Sequence, residues 1–129
     1  CQMLEAGWSQ PEAQFCWSEG SVSSVLFRVE TPLDKLTLAM CIGTFRPSGN
    51  AVVYLNDTAI GIIPRGDSEI YRFAIDKRLV GNHGLVRLKF QMRTPTSPAC
   101  AGGSLDMRIL GVCLISLWIE QTTPWVVNV

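Results

Sequence analysis

The chain has 129 residues, the size of one domain, and its 47% hydrophobic content is ample for burying a core. Eleven basic residues balance eleven acidic ones, so it lacks the long-range field that draws proteins to nucleic acid or anionic lipid, and neither polyanion is expected as a partner. No apolar run reaches the ~20 residues that a membrane-spanning helix needs, and the longest, Ile109 to Ile119, is interrupted by Gly111 and Ser116 and reads as a buried strand.

In chain order, "GWSQPEAQFCWSEG" carries Trp8 and Trp17 amid polar turn formers and reads as a long loop that packs aromatics over an open end of the fold. Period-two alternation then takes over. Val25, Phe27 and Val29 share one face of "SVLFRVE", and Leu36, Leu38, Met40 and Ile42 share one face of "KLTLAMCIG". "VVYLNDTAIGII" places Asn56-Asp57 between two apolar runs, which suits a short hairpin because both residues tolerate positive φ. In "IYRFAI", Tyr71, Phe73 and Ile75 oppose Ile70 and Arg72. Only "IDKRLVGN" hints at helix, and for one turn. "GLVRLKFQM" alternates most regularly, with Val86, Leu88, Phe90 and Met92 against Arg87, Lys89 and Gln91. "RILGVCLISLWIE" is apolar on both faces, the pattern of a central strand covered on both sides. The apolar tail "TTPWVVNV" reads as an edge strand or a tail, with Trp125, that could lie across a partner. The separators are turn formers at intervals typical of an antiparallel β-sandwich, and the chain is expected to be all-β, with about eight strands in a single domain, 1–129. Because it begins at Cys1 without a Met, it reads as a mature form or as a piece excised from a larger protein.

Five cysteines occur without a C-x-x-C pair and with one histidine, His83, so no metal site and no cofactor are expected. Cys41 and Cys113 lie inside apolar strands and are expected in the core, while Cys1, Cys16 and Cys100 fall in loop-like or terminal sequence, where a disulfide is an open question. His83 sits in the turn "GNHG", and no G-x-S-x-G or H-E-x-x-H accompanies it, so nucleophilic catalysis is not expected. Glu5, Glu12, Glu19, Asp57, Asp67 and Asp106 fall in loops or at strand ends, where they serve solubility more readily than glycoside hydrolysis. "GDSE" at 66–69 offers too few oxygens for calcium and reads as a capped turn. Asn56-Asp57-Thr58 matches a glycosylation sequon that the hairpin already explains. Asp106 and Arg108 share one face of an extended segment just before an apolar strand, so they are expected to form an ion pair that pins the 93–105 loop.

Gly7-Trp8-Ser9-x-Pro11-Glu12 with Trp17-Ser18-x-Gly20, and Ser97-Pro98 with Asp106-x-Arg108-x-Leu110-Gly111, carry a resemblance that spans nearly the whole chain. The sequence resembles a bacterial β-sandwich module of uncharacterised function, usually attached to membrane-bound or glycan-handling proteins, including glycosyltransferases of surface polysaccharide assembly. The resemblance implies a jelly-roll like that of galactose-binding-type domains, no catalytic residues, and a place at the cell envelope rather than the cytosol. Cys16, Cys41, Cys100 and Cys113 depart from that pattern, which favours aliphatic or small residues there.

The expectation is therefore a non-catalytic module that binds carbohydrate as an accessory to a polysaccharide enzyme. Such sites set an aromatic face against the sugar's C–H face and planar amide, carboxylate or guanidinium groups against its hydroxyls. Trp8, Trp17, Arg46, Asn50 and Arg93 are the candidates, although either Trp could instead plug the end of the core. The alternative is a structural module that docks onto a larger membrane-associated host protein and has no sugar site. Exposed concave aromatics would favour the first, and a flat exposed apolar patch the second.

Overall fold

The computed structural model describes residues 7–8, 16–29, 35–80 and 84–121. Cys1, Glu5, Glu12, His83 and the tail with Trp125 lie outside the described residues. Eight strands form two antiparallel sheets: β1 (Cys16–Glu19), β2 (Val22–Arg28), β3 (Lys35–Thr44), β4 (Ala51–Leu55), β5 (Thr58–Ile63), β6 (Glu69–Asp76), β7 (Leu85–Met92) and β8 (Leu110–Gln121). The orders are β1-β8-β3-β6 and β2-β7-β4-β5, which make the molecule a jelly-roll sandwich.

Alternation builds the core. Leu36, Leu38, Met40 and Ile42 of β3 are buried on the inner face of the first sheet, as are Val86, Leu88, Phe90 and Met92 of β7 on the inner face of the second. Val25, Val53, Leu55, Ile63, Ile75 and Val112 complete the cluster. The β4–β5 hairpin turns on Asn56 and Asp57, at φ 44° and 70°. Asn56 also ties the hairpin to its neighbours. Its Nδ2 donates to the carbonyls of Leu79 (2.7 Å) and Leu85 (3.1 Å), and its Oδ1 accepts from the Arg87 amide (2.8 Å). The expected single helical turn is a 3-10 turn at Lys77–Leu79, capped by the Asp76 carboxylate.

Three expectations are corrected. The N-terminal loop contains a strand, because Cys16 to Glu19 pair with β8 as its outer neighbour. β8 is central but is not a strand covered on both sides. Cys41 pairs with Ser116 while Ile42 pairs with Leu114, so Ile115 is an extra residue in a bulge and the alternation changes phase there. Leu114, Leu117 and Ile119 all pack against the core, while Cys113 and Trp118 face outward. A run that looks apolar on both faces is thus one dry face written in two phases. Finally, Cys41 and Cys113 are half-buried on the outer face of this sheet, and Cys16, taken for a loop residue, is the buried cysteine, on the inner side of β1.

The outer faces of the two sheets differ. On the second sheet, β7 presents Arg87, Lys89 and Gln91, with Ser24 and Arg28 alongside on β2, and the Lys89 amino group stands 4.8 Å over the Tyr54 ring. On the first sheet, register and parity give the outer face Trp17, Cys113, Ile115, Cys41, Ile70, Trp118 and Ala39. Its main charged feature is Arg72 with Glu120, joined by contacts of 3.1 to 3.3 Å, and the Trp118 indole donates to Glu120 at 3.0 Å.

Candidate functional site

Both sheets are antiparallel and each odd-numbered strand down to β7 leads into the next even one. The links after β1, β3, β5 and β7 therefore gather at one end of the sandwich: Gly20–Ser21, Phe45–Asn50, Pro64–Ser68 and Arg93–Ile109. All five candidate ligand residues lie on or beside these links or on β1.

Arg46, Asn50 and Arg93 are brought together. Asn50 ends the link that contains a 3-10 turn, Arg46–Ser48. Its main-chain carbonyl accepts from the Arg93 amide at 3.0 Å, and its side-chain Oδ1 accepts from the Arg65 amide at 2.9 Å. Arg46 reaches the same 64–68 link, with its Nη2 3.5 Å from an oxygen of Asp67. The main chain of Arg65 and Arg93 and the side chain of Arg46 thus bring three separate links together around Asn50, at a polar rim.

The rim rests on a buried residue that sequence reading passed over. Ser48 is fully buried; its Oγ lies 2.5 Å from the Leu110 carbonyl, 3.2 Å from the Thr96 carbonyl and 3.0 Å from the Thr96 amide, to which it serves as acceptor. This one hydroxyl joins the β3–β4 link to the start of β8 and to the 93–109 link. "PSGN" reads in sequence as an ordinary turn, and nothing in it announces a buried hydroxyl. Arg65 was missed too, as a charge in a turn. Gly43 sets how close the 64–68 link comes, since a Cβ there would lie 2.7 Å from the Ser68 nitrogen and 2.9 Å from the Asp67 carbonyl carbon. Thr44 then holds the link by exchanging bonds with Gly66, 2.9 Å through the main chain and 3.1 Å through Oγ1.

The two tryptophans have different places. Trp8 donates its indole N–H to the Ser24 carbonyl at 2.8 Å and packs edge-on to Phe90 at 6.1 Å, so its ring closes the core beside β1. Trp17 stands on the outer face of β1, edge-on to Phe45 at 6.3 Å. Phe45 directly precedes Arg46, which sets Trp17 near the rim by way of one aromatic neighbour. Trp8 instead helps to line a separate open depression of about 500 Å³, with Gly7, Glu19, Gly20, Met107, Arg108 and Ile109.

Asp106 and Arg108 form a pair. Arg108 Nη2 lies 2.7 Å from Asp106 Oδ2 and Nε 3.1 Å from Oδ1, while the Arg108 amide donates to Oδ1 at 3.0 Å. The side-chain and main-chain bonds from Arg108 hold the Asp106 carboxyl below its ordinary pKa. The pair is local, two residues apart, with side chains 38% and 28% exposed rather than buried. Asp106 ties its loop inward through its carbonyl, which accepts from the Ala99 amide at 2.8 Å in the one-turn helix α1 (Pro98–Ala101), capped by Ser97.

For other chemistry the described residues offer little convergence. Asp67 faces Arg46 and Asp57 lies 3.9 Å from Lys89, so each of these carboxylates has a cation beside it. No group of three or more His, Cys, Asp or Glu among the described residues is placed to hold a metal ion. No helix among them is long and apolar enough to cross a membrane.

No protein-family model matches the sequence, and no curated protein matches it. Among solved structures, the chain is similar to part of an FMN-binding beta-glucuronidase from Facaelibacterium prausnitzii L2-6. The two are 21% identical, with a TM-score of 0.45, over 81% of this chain and 15% of that one. The chain thus spans about 15% of the length of that neighbour.

Proposed function

We propose that this domain is a non-catalytic module that binds carbohydrate at the loop end of the sandwich, as an accessory to a polysaccharide-handling protein. The observation that carries this reading is that Arg46 and Asn50, on one link, and Arg93, on another, are held together at one solvent-facing end of the sandwich. Planar guanidinium groups suit the paired hydroxyls of a sugar, and a rim fixed through Ser48 loses little freedom on binding. Trp17 is the aromatic of this reading, and Trp8 serves the core. A glycan-array screen tests it, with Arg93→Ala and Trp17→Ala as variants. Retained glycan signals that fall in both variants support the reading, and signals indifferent to both would sink it.

A second reading, a module that docks onto a host protein, is favoured by the outer face of the first sheet. That face carries Ile70, 52% exposed, and Ile115, 44% exposed, together with Trp17 and Trp118. Co-purification of the domain with its host chain, lost on Ile70→Lys, separates the two readings.

A further inference from the structure

The formal charge of the chain is zero, but the rim around Asn50 is not neutral. Arg46, Arg65 and Arg93 all lie there, Arg65 and Arg93 held by their main chain, and Asp67 faces Arg46 across a loose 3.5 Å contact with both side chains largely in water, 62% and 91% exposed. Arg65 and Arg93 are exposed and have no carboxylate within ion-pair distance among the described residues. Arg72, Arg78 and Arg108 each hold a carboxylate in a close fork, whereas Arg28, at the far end of the sandwich, stands singly without one among the described residues. At the rim three arginines without such a fork start from neighbouring main chain that is tightly held. The Arg65 and Arg93 amides are both fixed on Asn50, at 2.9 and 3.0 Å, and the link that carries Asn50 is anchored by buried Ser48.

We infer that this rim recognises acidic polysaccharide, with Arg65 and Arg93 as the anion-binding residues and Arg46 as a third once the ligand competes for it with Asp67. The inference rests on the carbohydrate-binding reading and names the ligand class. A guanidinium offers two parallel N–H donors to the two oxygens of a carboxylate or sulfate, a match that a neutral hydroxyl cannot make. A polymer that repeats its charge meets several arginines at once, so weak single contacts add up. Because the arginines are exposed, the attraction is screened by salt and is felt only near the rim, which agrees with a chain of zero net charge.

The test is binding of the domain to polygalacturonate, to dextran sulfate and to neutral dextran, by calorimetry at low and at high salt. Arg65→Glu, Arg93→Glu and Arg28→Glu are compared with the parent. Arg28, exposed at the end of β2 on the opposite end of the sandwich, undergoes the same change of charge and serves as control. The main chain of residues 65 and 93, not their side chains, holds the rim, so both variants fold, as a thermal melt verifies. The expected result is preference for one or both acidic polymers over dextran, weakened by salt, with about a tenfold loss in each rim variant, the size of one charge-assisted contact. Arg28→Glu is expected to bind like the parent. Preference for carboxylate over sulfate, or the reverse, identifies which acidic sugar fits. Binding of dextran as tight as that of the acidic polymers overturns the inference and leaves the carbohydrate reading standing. An equal loss in Arg28→Glu also overturns it, as diffuse attraction. Binding of none of the three polymers, with no signal on the glycan array, overturns both.

Discussion

Single side chains hold this end of the fold more than their sequence context suggests. Ser48→Ala removes the only hydroxyl between the Thr96 amide and the Leu110 carbonyl and leaves buried polar groups without their partner. Loss of about 1 to 3 kcal/mol is expected in denaturant unfolding, the range for stranding a buried hydrogen-bonding group. Arg108 is expected to behave more mildly than a buried pin, because its pair with Asp106 is local and partly solvated. Arg108→Ala should lower the melting temperature by no more than a few degrees, and Arg108→Lys should recover only part of this, since an ammonium cannot fork onto both carboxylate oxygens. The pH dependence follows from the same contacts. Asp106 is held low by Arg108, Asp76 by Arg78, and Glu120 by Arg72 and then Trp118. A carboxyl with a lowered folded-state pKa contributes stability above the ordinary carboxylate range and loses it as pH falls through the lowered value. Melting temperatures should therefore drop on acidification through that range, and the double variant Asp106→Asn, Glu120→Gln should drop less steeply. Thiol labelling belongs to this scale too: among the described cysteines, Cys100, exposed on α1, should react first, and Cys16, buried on β1, last.

At the scale of elements, what the sequence revealed depended on whether a pattern was local. β3 and β7 were legible residue by residue, because their alternation is unbroken and their inner faces match it. The hairpin at Asn56-Asp57 was legible because positive φ admits few residues. β8 was not, because a bulge is a property of two strands in register, and one strand's sequence carries no mark of which residue its partner skips. β1 was hidden for a related reason, being four residues long and held by its pairing with β8. The bulge makes a specific prediction. Deleting Ile115 removes the residue without a partner and keeps both halves of β8 in register with β3. That variant should fold, as near-ultraviolet circular dichroism will report. For the site, Arg46, Asn50 and Arg93 were legible as polar residues in turns, but their meeting depends on which links share an end, and that is set by strand order. Gly43 tests the point. Gly43→Ala should push the 64–68 link off β3 and, because Gly43 lies between buried Ile42 and Thr44, should lower the melting temperature together with any polysaccharide binding at this end.

At the scale of the whole molecule the two outer faces mix polar and apolar groups differently. One sheet shows water Arg, Lys and Gln side chains beside Val22, Ile62 and Leu85, and the other shows it tryptophan, isoleucine and half-buried thiols, with Arg72 and Glu120 closed on each other. Asymmetry of this kind was hidden by bulk composition, since a net charge of zero and an average hydropathy average over both faces. Ile70→Lys with Ile115→Lys should reduce any self-association seen in sedimentation without altering the proposed polysaccharide binding, because neither residue belongs to the rim. The rim in turn lies at the end of the strands, so its outward direction runs along the sheets, while the outer face of the first sheet looks out across them. A domain laid flat on a host by that face would hold its arginines sideways, parallel to the host's surface. In that posture a long chain molecule can slide past the host and be gripped in passing, and occupation of either surface leaves the other open.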